Sequence, residues 1–338
     1  MVKAVKTAKD LGERRIIELI QNRLDKSDEM VVPFGDDVAA TNLQRGLAAV
    51  LKTDTLVGRF DVPPGMTYFQ AARKAVVMNI SDFSAKGVQP KVLLVSLGLP
   101  PDFAEASVND IADGLNSGCR EYGAHLIGGD TSQTSDLIIT CMVFGTARTK
   151  DIVPRGGSMP GDILAVTGSF GNTASGLRLL LKNLKTPAAL RKRLLESVYM
   201  PMARLREGLA LADAHVVTAS IDSSDGLAIS LHEMRKMSGK GFTITKLPTD
   251  KDVNDFAKLH NLDTRELALY GGEEYELIVT VQGKDWEKAA RAVKRSGGSL
   301  TEIGVVTADP IIVLKENDGL VEIPYRGWEH FKSEQKEL

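Results

Sequence analysis

Two cysteines in 338 residues, Cys119 and Cys141, are too few for a disulfide framework or a Cys-rich zinc site. They read as small hydrophobes in a reduced interior. Aromatic residues are only 5% of the chain, which argues against platforms for stacking nucleic-acid bases. Neither sign of charge dominates. Lys and Arg number 42 against 44 Asp and Glu, a formal net charge of −2, which excludes a chain acting mainly as a polycation on nucleic acid or acidic membranes. No apolar run reaches the roughly 18 residues of a bilayer-crossing helix. The N-terminal segment lacks the apolar core and cleavage site of a secretory leader, so the expected location is the cytoplasm. What remains is ordinary for a soluble protein, with 43% hydrophobic and 25% charged residues. The length suits about two domains.

Apolar periodicity outlines those domains. A helix is expected over 11–24 and a strand over 47–51 that ends at Lys52-Thr53-Asp54. A long helix is expected over 67–86, with Phe69, Ala72, Val76, Ile80 and Phe83 at helical spacing. A strand over 92–99, a helix over 107–122 and a β-branched strand over 137–147 follow, with His125-Leu126-Ile127 leading into Gly128-Gly129-Asp130-Thr131. Pro154, Gly156, Gly157, Pro160 and Gly161 then mark a boundary loop. Beyond it, strands over 163–166, 216–221, 277–281 and 311–314 alternate with helices over 172–181, 227–237 and 286–295. This gives an α+β architecture with domains at 1–150 and 151–338, the second of α/β type.

The chemistry lies in aspartates placed at or near the ends of apolar strands. These are Asp36 and Asp37 in Phe-Gly-Asp-Asp, Asp54, Asp130, and Asp222 and Asp225 in Ile-Asp-Ser-Ser-Asp-Gly, with Asp82 inside the long helix. Converging carboxylates repel one another unless a hard cation sits between them, and an oxygen-only ligand set suits Mg²⁺ shared with substrate phosphates. Singly, each motif also reads as a turn or helix cap. Other templates fail. Gly171-Asn172-Thr173-Ala174-Ser175-Gly176 has P-loop spacing, but Leu177-Arg178 follows where Lys-Ser/Thr is required. His232-Glu233 lacks the second His of a zincin, and the protein-kinase signatures are absent. The strand, Gly turn and helix over 167–181 could hold an anion at the helix N-terminus, or be a plain turn.

Together the motifs resemble the thiamine-monophosphate kinase family, of the superfamily that includes aminoimidazole ribonucleotide synthetase and selenophosphate synthetase. The matching blocks, in order, are Gly35-Asp36-Asp37, Thr53-Asp54-Thr55-Leu56-Val57, Asn79-Ile80-Ser81-Asp82, Gly128-Gly129-Asp130-Thr131, residues 155–162, 167–177 and 222–227, Gly271-Gly272-Glu273-Glu274-Tyr275-Glu276-Leu277 and Gly327-Trp328-Glu329-His330-Phe331. The resemblance implies ATP-dependent transfer of a γ-phosphoryl group onto thiamine monophosphate, giving thiamine diphosphate. It implies a homodimer whose N-terminal mixed sheets pair into a barrel, and a C-terminal domain completing the site. It implies several Mg²⁺ ions held by Asp36, Asp54, Asp82, Asp130, Asp222 and Asp225, with Thr53 on the metal side. Gly129, Asp130, Arg155 and Ser224 match ATP contacts; Glu273 and Trp328 match substrate contacts. No membrane or nucleic-acid partner is implied.

Two positions depart from the family pattern. Lys52 stands where Ser or Thr usually precedes the Thr-Asp pair, and is expected to supply positive charge in place of one metal contact. Asp61 stands where a His near the substrate is usual. Glu273, directly after the Gly pair, is chosen over Glu274 as the substrate contact. The alternatives are another ATP-using enzyme of the superfamily and a nucleotide-binding regulator without catalysis. Retention of the acidic set argues against the regulator, since a binding-only protein has little need for so much buried negative charge. The hydrogenase-maturation branch would be expected to end in a reactive Cys, whereas this sequence ends Gln-Lys-Glu-Leu. A selenophosphate synthetase would be expected to carry an N-terminal Cys, and the first here is Cys119.

Overall fold

The computed structural model describes residues 6–25 and 27–331. The outer domain limits expected at 1 and 338, and the terminal residues 335–338, lie outside the described residues. Alternating side chains along 47–57 form the longest N-terminal strand, and its neighbours complete a five-stranded sheet. The strands are β1 (Ala39–Asn42), β2 (Leu47–Val57), β3 (Pro90–Leu99), β4 (His125–Gln133) and β5 (Ile138–Arg148), in the order β1-β2-β5-β3-β4. All pairs are antiparallel except β3 with β4. The helices before the boundary loop are α1 (Ala8–Gln21), the single turn α2 (Gly58–Asp61), α3 (Tyr68–Lys86) and α4 (Glu105–Glu121).

After the boundary loop, β6 (Ile163–Val166), β7 (Val217–Asp222), β8 (Gly241–Ile244), β9 (Leu277–Val281), β10 (Thr301–Thr307), β11 (Ile312–Glu316) and β12 (Gly319–Glu322) form a seven-stranded sheet ordered β12-β11-β8-β10-β6-β9-β7. Its helices are α5 (Asn172–Leu181), α6 (Ala188–Tyr199), α7 (Leu205–Ala214), α8 (Leu227–Ser238), α9 (Lys251–His260), α10 (Thr264–Tyr270) and α11 (Trp286–Arg295). The alternation of strands and helices suggested an α/β domain, but only β8 with β11 is a parallel pair, so the sheet is mixed and mainly antiparallel. Among the described residues no helix is long and apolar enough to cross a membrane.

Helix α3 joins the two halves. It starts at a Thr67–Gln70 capping box and stops at Gly87, whose φ of 64° is left-handed. Ala72, Val76, Ile80 and Phe83 pack with Leu93, Val95, Ile139, Cys141 and Val143 of the first sheet. The opposite side meets α7, where Gly208 is required because a Cβ there would come within 2.0 Å of the Ser84 carbonyl. Burial on all sides takes Arg73, Lys74, Asp82 and Lys86 inside as well. Each must then find a partner, because an unpaired buried charge is costly. The free thiols of Cys119 and Cys141 are both buried, and burial pushes the Cys119 thiol up to about 11.

Two motif regions differ from the sequence expectation. Strand β2 does not end at Lys52-Thr53-Asp54 but runs on to Val57, and Gly128-Gly129-Asp130 lies inside β4 rather than in a turn. Gly129 allows β4 to approach β3 closely: a Cβ there would come 1.9 Å from the Val95 carbonyl oxygen.

Candidate active site

Asp37 comes from the loop before β1, Asp82 from α3 and Asp222 from the last position of β7. A carboxylate oxygen from each lies within 4.8 Å of the others, and all three residues are buried. Ser81 Oγ–H donates to Asp222 Oδ2 at 2.6 Å. Burial and the neighbouring Asp37 raise the Asp222 carboxyl to about 6. Burial, then Glu13 and Asp222, raise Asp225 to about 7. Asp82 is pushed well above the carboxylate range by burial, which together with Asp222, Asp37 and Asp54 outweighs Lys52. This is the electrostatic signature of a site that lacks positive charge.

The protein supplies part of that charge itself. Lys86, one turn after Asp82 on α3, is fully buried. Its ammonium lies 2.5 Å from Asp36 Oδ1 and 2.7 Å from Asp37 Oδ2, and donates to the Ser220 carbonyl at 2.9 Å. Arg155 pairs with Asp37, donates to the Gly35 carbonyl, and sends its backbone N–H to Asp36 Oδ2 at 3.1 Å. Burial opposes ionisation of Asp37, but Arg155 and Lys86 outweigh it and hold its carboxyl below the usual value. Strand alternation puts Lys52 on the α3 side of β2 with Asp54. Its Nζ stands 3.1 Å from Asp82 Oδ2 and 4.0 Å from Asp54 Oδ2.

A second group lies beside the first. Lys74, buried on α3, pairs with Glu273 and donates to the Asp61 carbonyl at 3.0 Å. Asp61 Oδ2 accepts the Val57 N–H at 2.7 Å, and burial raises its pKa. Glu273 donates its N–H to the exposed Ser224's carbonyl at 2.6 Å, and Trp328 donates its N–H to the Asp225 carbonyl at 3.1 Å. Glu273 and Tyr275 hold φ at 63° and 54°, a left-handed region that is costly for side-chain-bearing residues.

The left-handed backbone at Glu273 separates two adjacent glutamates. Glu273 meets Lys74, while Glu274 turns to the N-terminus of α5 and accepts from the N–H groups of Gly171 at 2.7 Å and Thr173 at 3.1 Å. The anion expected at that helix is therefore a carboxylate of the chain itself. Burial still raises Glu274 to about 8. Glu274→Ala is expected to destabilise the fold by about 1–2 kcal/mol in urea titrations, with Glu274→Gln retaining most of the cap. Equal loss in both variants would show that the cap contributes little. A cavity of about 850 Å³ is lined by Glu274, Arg73, Arg204, Glu207 and Glu276 and by the Thr167–Ser169 turn, but by none of the metal, nucleotide or substrate residues that the family resemblance implies.

Asp36, Asp54, Asp82 and Asp222 are thus brought together, with Asp225 close enough to feel Asp222 and Asp54. Asp61, Glu273, Ser224 and Trp328 form the adjacent group. Thr53 and Asp130 do not join either one. Thr53 alternates to the face of β2 away from α3 and donates to the Cys141 carbonyl at 3.0 Å. Asp130 pairs in register with Ser96, also on that open face, and accepts a 3.4 Å bond from Ser132. Sequence reasoning left Lys74 and Lys86 without a role. The available signal was cationic residues inside a helix buried on every side.

Two family models match the chain: the N-terminal domain of AIR synthase related protein over residues 35–147, and its C-terminal domain over 159–316. The thiamine-monophosphate kinase of Nitrosopumilus maritimus is 35% identical over 322 residues, covering 95% of this chain and 99% of the relative. That of Pyrococcus horikoshii is 32% identical over 324 residues, covering 95% and 98%. The solved structure of AaThiL complexed with AMPPCP and TMP superposes with a TM-score of 0.85 at 28% identity, covering 97% of this chain and all of that one. Full-length similarity of sequence and fold leads to one conclusion: the chain belongs to the thiamine-monophosphate kinase family of AIR synthase related proteins.

Proposed function

We propose that the protein transfers the γ-phosphoryl group of ATP to thiamine monophosphate, yielding thiamine diphosphate and ADP. The observation that carries this reading is the buried convergence of Asp37, Asp82 and Asp222 in a chain whose full-length relatives are named for this reaction. The related structure that holds AMPPCP, an ATP analogue, together with TMP supports both substrates.

The residues fit Mg²⁺. The donor set is oxygen only, and the carboxyls of Asp82, Asp222 and Asp225 are raised, as expected for acids awaiting a cation. In this reading Asp36, Asp54, Asp82, Asp222 and Asp225 hold several ions, while Thr53 and Asp130, on the open face of the sheet, lie outside that cluster. Bound Mg²⁺ supplies charge neutralisation between two phosphate chains and in-line alignment. The chain's own residues do the rest. The acceptor phosphate has a second pKa of about 6 and is largely dianionic at neutral pH, so no general base is needed. Gly129, Asp130, Arg155 and Ser224 serve the nucleotide, and the Arg155 Nε still has a hydrogen bond to offer. Glu273, Trp328 and Asp61 orient the thiamine end, with Lys74 fixing Glu273.

The N-terminal domain, 1–150, carries the ATP and Mg²⁺ residues and the dimer contact, and 151–338 completes the nucleotide and substrate site. The unpaired edge of β4, exposed along its whole length with Ile127 at 63%, supports a homodimer barrel made by the open sheet faces. In sedimentation, the wild type is expected as a dimer and Ile127→Lys as a monomer. A monomeric wild type would remove the barrel from the reading.

Incubation with ATP, Mg²⁺ and thiamine monophosphate is expected to give thiamine diphosphate by chromatography. ATP hydrolysis without that product would overturn the substrate assignment. Glu273→Gln is expected to raise KM for thiamine monophosphate about 10-fold with little change in KM for ATP, because it weakens a contact to one substrate only. Equal changes in both constants would place Glu273 outside the thiamine site.

A further inference from the structure

Lys86 and Lys52 meet the acidic cluster in different ways. Lys86 has no exposed surface, and its three close acceptors, at 2.5, 2.7 and 2.9 Å, use its three donors. It is a fixed structural cation. Lys52 enters from β2, with 23% of its side chain exposed. Among the described residues it pairs with two carboxylates, Asp82 Oδ2 at 3.1 Å and Asp54 Oδ2 at 4.0 Å. Those carboxylates are two that the proposed function assigns to Mg²⁺. The ammonium is within 4.0 Å of both.

We infer that Lys52 is a resident cation that takes one divalent-ion position, so that this chain works with one fewer Mg²⁺ than the same site would hold with a hydroxyl residue at 52. The physical case is positional. A side chain tethered to the central part of an eleven-residue strand keeps its ammonium at high local concentration. A monovalent group offsets one of the two charges on Asp54 and Asp82 without the dehydration that Mg²⁺ resists. Asp222, which accepts from Ser81 at one oxygen, is the member of the buried trio left for ions shared with phosphates. This inference rests on the Mg²⁺–ATP reading of the site.

The test counts Mn²⁺ ions bound per full-length chain in the presence of AMPPCP, by electron paramagnetic resonance and calorimetry. Lys52→Thr is expected to bind one ion more than the wild type. Lys52→Arg, which keeps the charge, is expected to match the wild type. Lys52→Met, which removes the charge while keeping the stem, serves if the threonine variant fails to fold, and is also expected to gain an ion. The wild-type count in both Lys52→Thr and Lys52→Met overturns the inference. Asp82→Asn separates this result from failure of the parent reading. If it lowers the count while the Lys52 variants leave it unchanged, the metal site stands and the role of Lys52 falls. If no protein binds Mn²⁺ above the Asp82→Asn level, both fall.

Discussion

Asp222→Asn is expected to lower phosphoryl transfer by about 10³-fold, the several kcal/mol of transition-state stabilisation that a ligand to a catalytic cation supports. At the same time it is expected to raise the thermal stability of the protein in EDTA. The two effects have one origin. Asp222 is 5% exposed and stands close to Asp37 and Asp82, so its carboxylate is unfavourable until a cation arrives. The raised pKa sets the pH dependence. Below its unfolded value near 4 the carboxyl is protonated in both native and unfolded chains and contributes nothing. As pH rises from there to about 6, the native state keeps a proton that the unfolded state has lost, and stability falls; above about 6 the cost is constant. The gain for Asp222→Asn should therefore grow across that window to a few kcal/mol, on the order of 1–3, and hold at pH 8. Melting curves in EDTA at pH 4, 6 and 8 measure it. A variant less stable than wild type at pH 8 would mean that Asp222 is a structural turn residue, its bond from Ser81 outweighing the repulsion.

Lys86→Met has the largest expected effect on folding. With Arg155, the fully buried ammonium balances the charges of Asp36 and Asp37, and its bond to the Ser220 carbonyl ties α3 to β7 of the second sheet. Removing one member of a buried pair leaves the other charges uncompensated, at a cost of about 3–5 kcal/mol, or about 10 °C in Tm for a chain of this size. Addition of Asp37→Asn should restore part of the loss, because it removes one of the stranded carboxylates. A double variant no more stable than Lys86→Met would show that the loss comes from packing of the long side chain. Added Mg²⁺ should rescue Lys86→Met poorly, since the ammonium occupies a fully enclosed position.

Particular residues show how far local pattern reaches. The apolar spacing of Ala72, Val76, Ile80 and Phe83 outlined α3 to within a residue of its limits, because the side of the helix that packs on the first sheet repeats every 3.6 residues. Strand β9 and helices α5 and α11 were likewise outlined by apolar residues between Gly- or Pro-containing breaks. Strands such as β8 and β12, four residues each, offer too few alternations to read. The same limit applied to Gly128-Gly129-Asp130, where the glycines that usually mark a turn serve instead to let β4 approach β3.

The sequence by itself determined the acidic character of the site, the family and the residue types available for chemistry, because these follow from identity and short-range spacing. Only the tertiary structure decided which acids meet. Asp37, Asp82 and Asp222 are far apart in the chain and converge because α3 is packed between two sheets. It also decided that Asp54 faces this cluster while its neighbour Thr53 faces away, and that Glu273 meets Lys74 while Glu274 caps α5. In each case adjacent residues part company because a strand alternates faces or a single left-handed φ reverses the chain, and neither consequence has a direction until the surrounding elements are in place.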